Sequence, residues 1–376
     1  MFNLIDEWGP EKIVCVSDAR TQMRGVLVID NTARGMGKGG TRMSPTVSVA
    51  EVARLARNMP WKWAGVDLFY GGAKAGIQAD PSAASKDDVL RAFVRALRNE
   101  VPEEYVFGLD VGLTETDAAI MLDEVGNRAG VVGTPHALGG LPYDQLGVTG
   151  YGVAETVDAA AQFVGASTSK LSVSIQGFGA VGAATARRLD DLGATVVAVS
   201  TSEGGLYNPD GLDVAELLAL RTQHGDALVH HYFDAKPLIA GEELAIAADV
   251  LVPAALQDVI DAELAHIVPA RIVVEGANLP SSPAAQQILH DRGVIVVPDF
   301  IANAGGVVAA AVAMDYRFSG IRPEPAAVFD NISAKLRACT QEILHESRQR
   351  GMTTHRVARA AAQVRVAEAM RLRGRR

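Results

Sequence analysis

Three lysines stand close together in the sequence among glycines and large apolar residues. They are Lys38, Lys62 and Lys74, three of only eight lysines in a chain that carries 27 arginines. An ammonium differs from a guanidinium in its chemistry, because burial lets it lose its proton and act as a base or a nucleophile. Any one of them alone would also fit a surface lysine whose aliphatic stem covers apolar residues at the end of a strand. All three together predict a chemical site.

Length and composition limit the classes of protein to consider. A chain of 376 residues is long enough for two domains and a sizeable core. Its net charge of −9 argues against a nucleic acid partner. No run approaches the roughly 18 apolar residues of a membrane span, and Cys15 and Cys339 have neither metal-site nor disulfide spacing. We expect a cytoplasmic α/β protein with no metal and no membrane partner.

Hydrophobic periodicity predicts two parts of the chain with different patterns of strands and helices. In the first third we expect strands at 13–17, 25–30 and 66–70 and helices at 48–58 and 86–99. A stretch rich in glycine and proline, residues 133–152, indicates a boundary. Beyond it, strand and helix alternate, which is typical of a doubly wound parallel sheet. The strands of this second part are predicted at 171–176, 195–200, 250–253, 271–275 and 294–298, and only helices from about 323 onward.

A glycine-rich turn connects the first strand of this series to a helix. Its residues are Gly177, Phe178, Gly179, Ala180, Val181 and Gly182. The first glycine permits the tight turn, the second a close approach of pyrophosphate, and the third close packing of helix on strand. Helix amides and the helix dipole then favour the phosphates. The segment predicts a dinucleotide site, although a packing turn without a nucleotide would share the pattern.

The end of the next strand bears on the choice of nucleotide. An NAD site often has an acid there for the ribose 2′-hydroxyl, but this chain has Ser200 and Thr201 at that point. Their hydroxyls suit a 2′-phosphate, which favours NADP or the use of both cofactors. Glu203 follows close behind and leaves NAD open.

Motifs along nearly the whole chain resemble those of the glutamate/leucine/phenylalanine/valine dehydrogenase family. The resemblance is carried by Lys38, Lys62, Lys74 and Asp110 with their neighbours and by the glycine-rich turn. It is also carried by the segments 31–35, 38–43, 67–74, 205–211, 253–256, 275–278 and 303–307. The order of so many motifs is highly specific.

The resemblance implies an enzyme that oxidises an amino acid to an imino acid by hydride transfer to NAD or NADP. Water then releases ammonia and the 2-oxo acid. In that reaction Lys74 would activate the water and Asp110 would exchange protons with the substrate nitrogen. Lys62 would hold the α-carboxylate, and Gly71 and Gly72 would leave room for the substrate backbone.

Three more residues match cofactor contacts of the family. Asn278 and Asn303 follow predicted strands and would face the ribose and nicotinamide, although structural turns would also explain asparagines there. Thr149 would contact the nicotinamide amide, and a helix N-cap is an equally good interpretation.

The motifs leave two classes of amino acid open as the substrate. Lys38 matches a lysine that pairs with the side-chain carboxylate in glutamate-specific relatives, and an unpaired buried ammonium beside an alkyl chain would be costly. Ala310, however, stands where the glutamate branch has a serine, and the short chain resembles the leucine and phenylalanine branch. We expect L-glutamate, with a leucine-, valine- or phenylalanine-type substrate as the alternative.

The resemblance also implies an architecture. We expect a substrate and oligomerisation domain, 1–142 plus 335–376, a Rossmann-type domain, 143–334, and a cleft between them. The resemblance implies a homo-oligomer, a hexamer or an octamer. Two other classes remain open. One is a silent regulatory subunit, which the presence of Lys62, Lys74 and Asp110 disfavours. The other is a 2-hydroxy acid oxidoreductase, for which His136 would be the proton relay.

Overall fold

A computed structural model describes residues 2–376, apart from the side chain of residue 144. The chain divides into two compact units. The first comprises Met1–Tyr143, Val307–Val328 and Arg359–Arg376, and the second comprises Asp144–Gly306 and Phe329–Ala358. The C-terminal segments therefore alternate between the units, whereas the sequence prediction assigned 335–376 entirely to the substrate domain.

The first unit is built on a mixed six-stranded sheet. Its strands are β1 (Lys12–Asp18), β2 (Met23–Asn31), β3 (Gly37–Lys38), β4 (Thr41–Met43), β5 (Gly71–Ile77) and β6 (Tyr105–Val106). Five of them run in the order β1-β2-β5-β3-β6, and β4 pairs with β5. Helices α1 (Val49–Gly65), α2 (Lys86–Ala96) and α3 (Glu115–Val125) belong to the same unit.

Local signals account for where these helices begin. Ser48 caps α1 by accepting a hydrogen bond from the Glu51 amide. Thr114 and Asp117 form a capping box at α3. Helices α2 and α3 contribute Phe93 and Met121 to a core that also contains apolar residues of β2 and β5. That core fixes β5, which carries Lys74.

The second unit holds a seven-stranded sheet. Its strands are β7 (Ser172–Gln176), β8 (Thr195–Thr201), β9 (Gly204–Tyr207), β10 (Lys236–Leu238), β11 (Val250–Pro253), β12 (Ile272–Val274) and β13 (Ile295–Val297). Their order is β10-β9-β8-β7-β11-β12-β13. The five adjacent strands β8, β7, β11, β12 and β13 are parallel. Strand β9 pairs with β8, and β10 with β9, in antiparallel fashion. The predicted α/β class with a Rossmann-type sheet is confirmed.

Ten more α-helices lie in the described part of the chain. They are α4 (Tyr143–Leu146), α5 (Val148–Phe163), α6 (Ala180–Asp191), α7 (Val214–His224), α8 (Ala262–Ile267), α9 (Pro283–Asp291), α10 (Asp299–Ala302), α11 (Gly305–Tyr316), α12 (Pro325–Arg350) and α13 (Thr354–Leu372). The crossover β7–α6–β8 places the glycine-rich turn at the carboxyl end of β7, where ligands bind in open α/β sheets.

One predicted element is wrong. The strand expected at 66–70 is a turn, in which Asp67 has a left-handed φ of 51°. Helix α1 passes through Pro60 and ends at Gly65, so the chain turns at this point and pairs only from Gly71 onward. The strand was placed one segment early because its true sequence, with Gly71, Gly72 and Gly76, lacks the large side chains that usually indicate a strand.

Candidate active site

Lys74 and Asp110 form the centre of the site in the first unit. The Nζ atom of Lys74 lies 3.0 Å from Oδ2 of Asp110, and the Lys74 side chain is 10% exposed. Strand β5 fixes Lys74 by pairing it with Val28 of β2. The same Asp110 oxygen accepts a hydrogen bond of 2.9 Å from Nε of Arg42, whose Nη1 also binds Glu51. Arg42 was not predicted, although it lies within one of the family motifs.

The charges around Asp110 determine its protonation. Burial raises the pKa of the carboxyl group, but the neighbouring Lys74 and Arg42 outweigh that effect and leave the pKa below its ordinary value. Asp110 is therefore ionised at neutral pH. A carboxylate in contact with a lysine can take up a proton from the lysine side or from a bound amine, which is the chemistry expected of a proton relay.

Lys38 lies in β3, the strand next to β5. The residue is 3% exposed, and its Nζ donates a hydrogen bond of 3.1 Å to the carbonyl of Val106. A Cβ atom on Gly108 would lie 2.5 Å from that Nζ, so any larger residue there would displace the ammonium from its present position. Burial, with the nearby charges of Lys74 and Arg317, lowers the pKa of Lys38 to about 7. The Lys38 head group is thus held in place and poorly compensated by negative charge.

The other predicted substrate residues occupy three elements. Lys62 stands in the last turn of α1, and Ala310 is half-buried on α11. A Cβ atom on Gly72 would lie 2.0 Å from Cδ of Pro60, and one on Gly71 would lie 2.5 Å from the carbonyl oxygen of Asn31. Packing within the protein therefore already requires both glycines, whatever room they leave for a substrate.

The glycine-rich turn has the geometry of a phosphate-binding loop. Gly177 has a left-handed φ of 84°, and a Cβ atom on Gly182 would lie 1.9 Å from the Gly177 carbonyl oxygen. Gly179 differs, because a Cβ atom there would meet nothing within 4 Å. Phe178 is buried, and Ala180 and Val181 open α6. Open space at the second glycine, directly before a helix of 12 residues, fits a dinucleotide pyrophosphate.

The hydroxyl groups at the end of β8 already have partners. Ser200 accepts a hydrogen bond of 3.0 Å from the Gly177 amide, and Thr201 donates one of 2.8 Å to the Asp226 carbonyl. The carboxylate of Asp226 accepts a hydrogen bond of 2.6 Å from Ser202. Glu203 is paired with His230 at 3.1 Å. Two exposed carboxylates therefore lie close to the strand end where the sequence alone indicated only hydroxyls.

The asparagines assigned to the cofactor contact each other. Nδ2 of Asn303 lies 3.1 Å from Oδ1 of Asn278. Thr149 stands in the first turn of α5, whose N-cap is Gly147, so the N-cap interpretation of Thr149 is wrong. A Cβ atom on Gly306 would lie 3.1 Å from the Thr149 hydroxyl, which places Thr149 beside the segment that follows Asn303.

The second unit also contains a buried ion pair. Nε2 of His355, in the first turn of α13, lies 2.7 Å from Oε2 of Glu275, which is 1% exposed. The same carboxylate oxygen accepts a hydrogen bond from the Asp299 amide, and Asp299 in turn accepts one from the Leu279 amide. Burial lowers the pKa of His355, but Glu275 outweighs that effect and raises it. His355 was not predicted, because no motif or periodicity in the sequence distinguishes it.

Within the described part of the chain, no three His, Cys, Asp or Glu residues are grouped so that they could hold a metal ion. Nor is any of the described helices long and apolar enough to cross a bilayer.

Comparison with known proteins identifies the family. Residues 139–374 match the model of the Glutamate/Leucine/Phenylalanine/Valine dehydrogenase family, and residues 10–127 match that of the Glu/Leu/Phe/Val dehydrogenase dimerisation domain. The chain belongs to this family. It is an amino acid dehydrogenase that depends on a nicotinamide cofactor.

Relatives within the family are similar over most of the chain. An NAD-specific glutamate dehydrogenase A of Halobacterium salinarum is 34% identical, covering 92% of this chain and 80% of its own length. An NADP-specific glutamate dehydrogenase of Saccharolobus shibatae is 35% identical, covering 92% and 84%. The crystal structure of a hetero-hexameric glutamate dehydrogenase from Thermus thermophilus, with leucine bound, matches with a TM-score of 0.86 and 31% identity. That match covers 99% of this chain and 92% of the other.

Proposed function

We propose that this amino acid dehydrogenase catalyses the reversible oxidative deamination of L-glutamate to 2-oxoglutarate and ammonia. The observation that carries the proposal is the Lys38 ammonium, which is 3% exposed and whose described hydrogen bond goes to a neutral carbonyl. A buried cation without a counter-charge is costly, and a substrate carboxylate would supply that charge. Relatives named glutamate dehydrogenases agree with this substrate.

Residues of the first unit would have separate binding and catalytic roles in the reaction. Lys62 would bind the α-carboxylate, and Lys38 the carboxylate of the side chain. Asp110 would take a proton from the substrate ammonium, because Lys74 and Arg42 keep it ionised. A bound nicotinamide would supply the acceptor for the hydride that leaves the α-carbon. Lys74 would then activate the water that attacks the iminium carbon, and Asp110 would return a proton to the departing ammonia.

The glycine-rich turn and its neighbours would hold the cofactor. Gly177 to Gly182 would receive the pyrophosphate at the start of α6, and Asn278, Asn303 and Thr149 would orient the ribose and nicotinamide. The hydroxyls of Ser200 and Thr201 are engaged within the protein, so they lend little support to a preference for NADP. Because Asp226 and Glu203 would repel a 2′-phosphate, we propose that NAD is used at least as well as NADP.

We also propose an oligomeric state and a cellular location for the protein. We propose a homo-oligomer: the match of residues 10–127 to a dimerisation domain supports oligomerisation, and the hetero-hexamer named for the Thermus relative supports six subunits rather than eight. A mass of six 39.5 kDa chains in light scattering would agree with the hexamer, and a mass of eight would contradict it. We propose the cytoplasm as its location.

One observation favours a second candidate. Ala310 has no hydroxyl to offer a side-chain carboxylate, which suits an apolar substrate of the leucine or phenylalanine type. Initial rates of nicotinamide reduction with glutamate, leucine, valine and phenylalanine, each with NAD and NADP, decide between the two. Glutamate should have the highest kcat/KM. An apolar amino acid in first place would contradict the proposal, and no turnover of any of them would support a silent subunit.

A further inference from the structure

Arg317 is, like Lys74, a cation close enough to Lys38 to act on its pKa. It is the first residue after α11, the helix that carries Ala310. Seven residues are close to two helical turns, so Arg317 lies on the side of α11 that bears Ala310. Nη1 of Arg317 reaches the carbonyl of Met314, so the side chain runs back along α11 in the direction of Ala310.

Two carbonyl groups tie Arg317 and Lys38 to one small apolar cluster. Nη1 of Arg317 donates a hydrogen bond to the Met314 carbonyl, and Nζ of Lys38 donates one to the Val106 carbonyl. Val106 and Met314 pack together in a cluster against which Met36 also packs. Nη2 of Arg317 lies 3.5 Å from Sδ of Met36, which stands two residues before Lys38. The two cationic head groups therefore bond to the backbone of two residues, Val106 and Met314, whose side chains belong to one cluster.

The guanidinium of Arg317 is incompletely satisfied. Its Nε is buried and has no hydrogen-bond partner. A guanidinium presents its donors in a planar fork that suits a carboxylate, and its charge persists at all working pH values. Lys38 and Arg317 are close enough that the Arg317 charge helps to lower the pKa of Lys38. Two cations that destabilise each other in this way are stabilised by an anion between or beside them.

We propose that Arg317 is a specificity-determining residue that binds the side-chain carboxylate of the substrate together with Lys38. Arg317 thereby supplies a donor that Ala310 lacks. The proposal rests on glutamate as the substrate. Its competitor is a purely structural role, in which Arg317 only caps the carbonyl end of α11 through Met314.

Three variants test this assignment: Arg317→Met, Arg317→Lys and, as a matched control, Arg322→Met. Arg322 lies five residues further on, and its guanidinium contacts His136. For each variant kcat/KM is measured with glutamate and with norvaline, an apolar amino acid of the same carbon-chain length. Arg317→Met should lower kcat/KM for glutamate about 100-fold, mostly through KM, because a charge-assisted hydrogen bond is lost. Norvaline should change less than about 3-fold in the same variant.

The other two variants separate a loss of recognition from a loss of structure. Arg317→Lys keeps the charge and should fall between wild type and Arg317→Met, whereas Arg322→Met should match wild type with both substrates. A parallel fall for glutamate and norvaline in Arg317→Met would assign Arg317 to structure alone and overturn the proposal, as would unchanged glutamate kinetics. Wild-type enzyme that prefers norvaline to glutamate would instead refute the proposed function, and the role of Arg317 with it.

Discussion

The Nζ atom of Lys74 and the Oδ2 atom of Asp110 lie 3.0 Å apart, and Nε of Arg42 lies 2.9 Å from the same oxygen. One carboxylate thus pairs with two cations. Their charges lower the pKa of Asp110, so that it stays ionised although it is largely buried. The arrangement joins a lysine on a central strand to an acid in the loop after β6. Proton transfer between substrate nitrogen, water and protein requires both groups at one point.

Replacing Lys74 by alanine should abolish turnover while cofactor binding persists. We expect kcat to fall about 1,000-fold or more, because general base catalysis is lost, and the dissociation constant for NADH to stay within about 2-fold. Lys86→Ala is the matched control, since Lys86 also forms a lysine–aspartate pair, with Asp117 at 2.7 Å. That variant should lose some stability and keep its kcat. Near-normal turnover in Lys74→Ala would remove Lys74 from the mechanism.

Replacing Asp110 by asparagine should cost stability in a pH-dependent way. The folded pKa of Asp110 is below its unfolded value, so its stabilisation is complete above about pH 4 and is lost as pH falls through the folded pKa. At pH 7 the free energy of unfolding should drop by about 2 kcal/mol. Urea titrations of wild type and Asp110→Asn should converge as the pH is lowered below about 4. A constant difference from pH 7 to pH 3 would mean that the carboxylate charge is not what stabilises this site.

Two glycines of the phosphate loop should respond oppositely to alanine. Gly179→Ala should leave the melting temperature unchanged, since its Cβ would meet nothing, yet weaken NADH binding about 10-fold or more by filling the space for pyrophosphate. Gly182→Ala should lower the melting temperature, because its Cβ would clash with the Gly177 carbonyl. Calorimetry for melting and NADH fluorescence for binding distinguish the two effects. Unchanged NADH affinity in Gly179→Ala would argue against a dinucleotide at this turn.

The buried pair of His355 and Glu275 should stabilise the second unit most at low pH. The folded pKa of His355 is raised, so the stabilisation is complete below the unfolded value of about 6.5 and is lost as pH rises through the folded pKa. At pH 6, His355→Leu should cost about 3 kcal/mol, since it leaves the Glu275 carboxylate without its cation. Chemical denaturation of both proteins across pH 6 to 9 measures this. A difference that grows with pH would contradict the charged pair.

Local sequence was enough to predict the five parallel strands of the second unit and its glycine-rich turn, but not the antiparallel strands β9 and β10. The parallel strands are short apolar runs, and the turn from Gly177 to Gly182 stands between β7 and α6, so each signal comes from neighbouring residues. The strand that carries Lys74 was misplaced for a physical reason. Its small residues are required by Pro60 and by the Asn31 carbonyl, and such crowding is visible only once α1 and β2 are folded.

Contacts between residues that are far apart in the sequence could not be predicted either. Arg42 and Asp110 are 68 residues apart, and His355 and Glu275 are 80 apart. No periodicity records such a pairing. The same limit applies to Asp226, which reaches the end of β8 from the segment after α7 and changes the expectation for the cofactor.

Recognition of a side-chain carboxylate by Lys38 is tested by a Lys38→Leu variant. The measurement is the ratio of kcat/KM for glutamate to kcat/KM for norvaline, in wild type and variant at pH 8 with saturating NAD. We predict that wild type strongly favours glutamate and that the variant loses about 100-fold or more of this ratio, because the charged partner of the carboxylate is gone. A ratio that survives unchanged in Lys38→Leu would mean that Lys38 does not bind the side-chain carboxylate of the substrate.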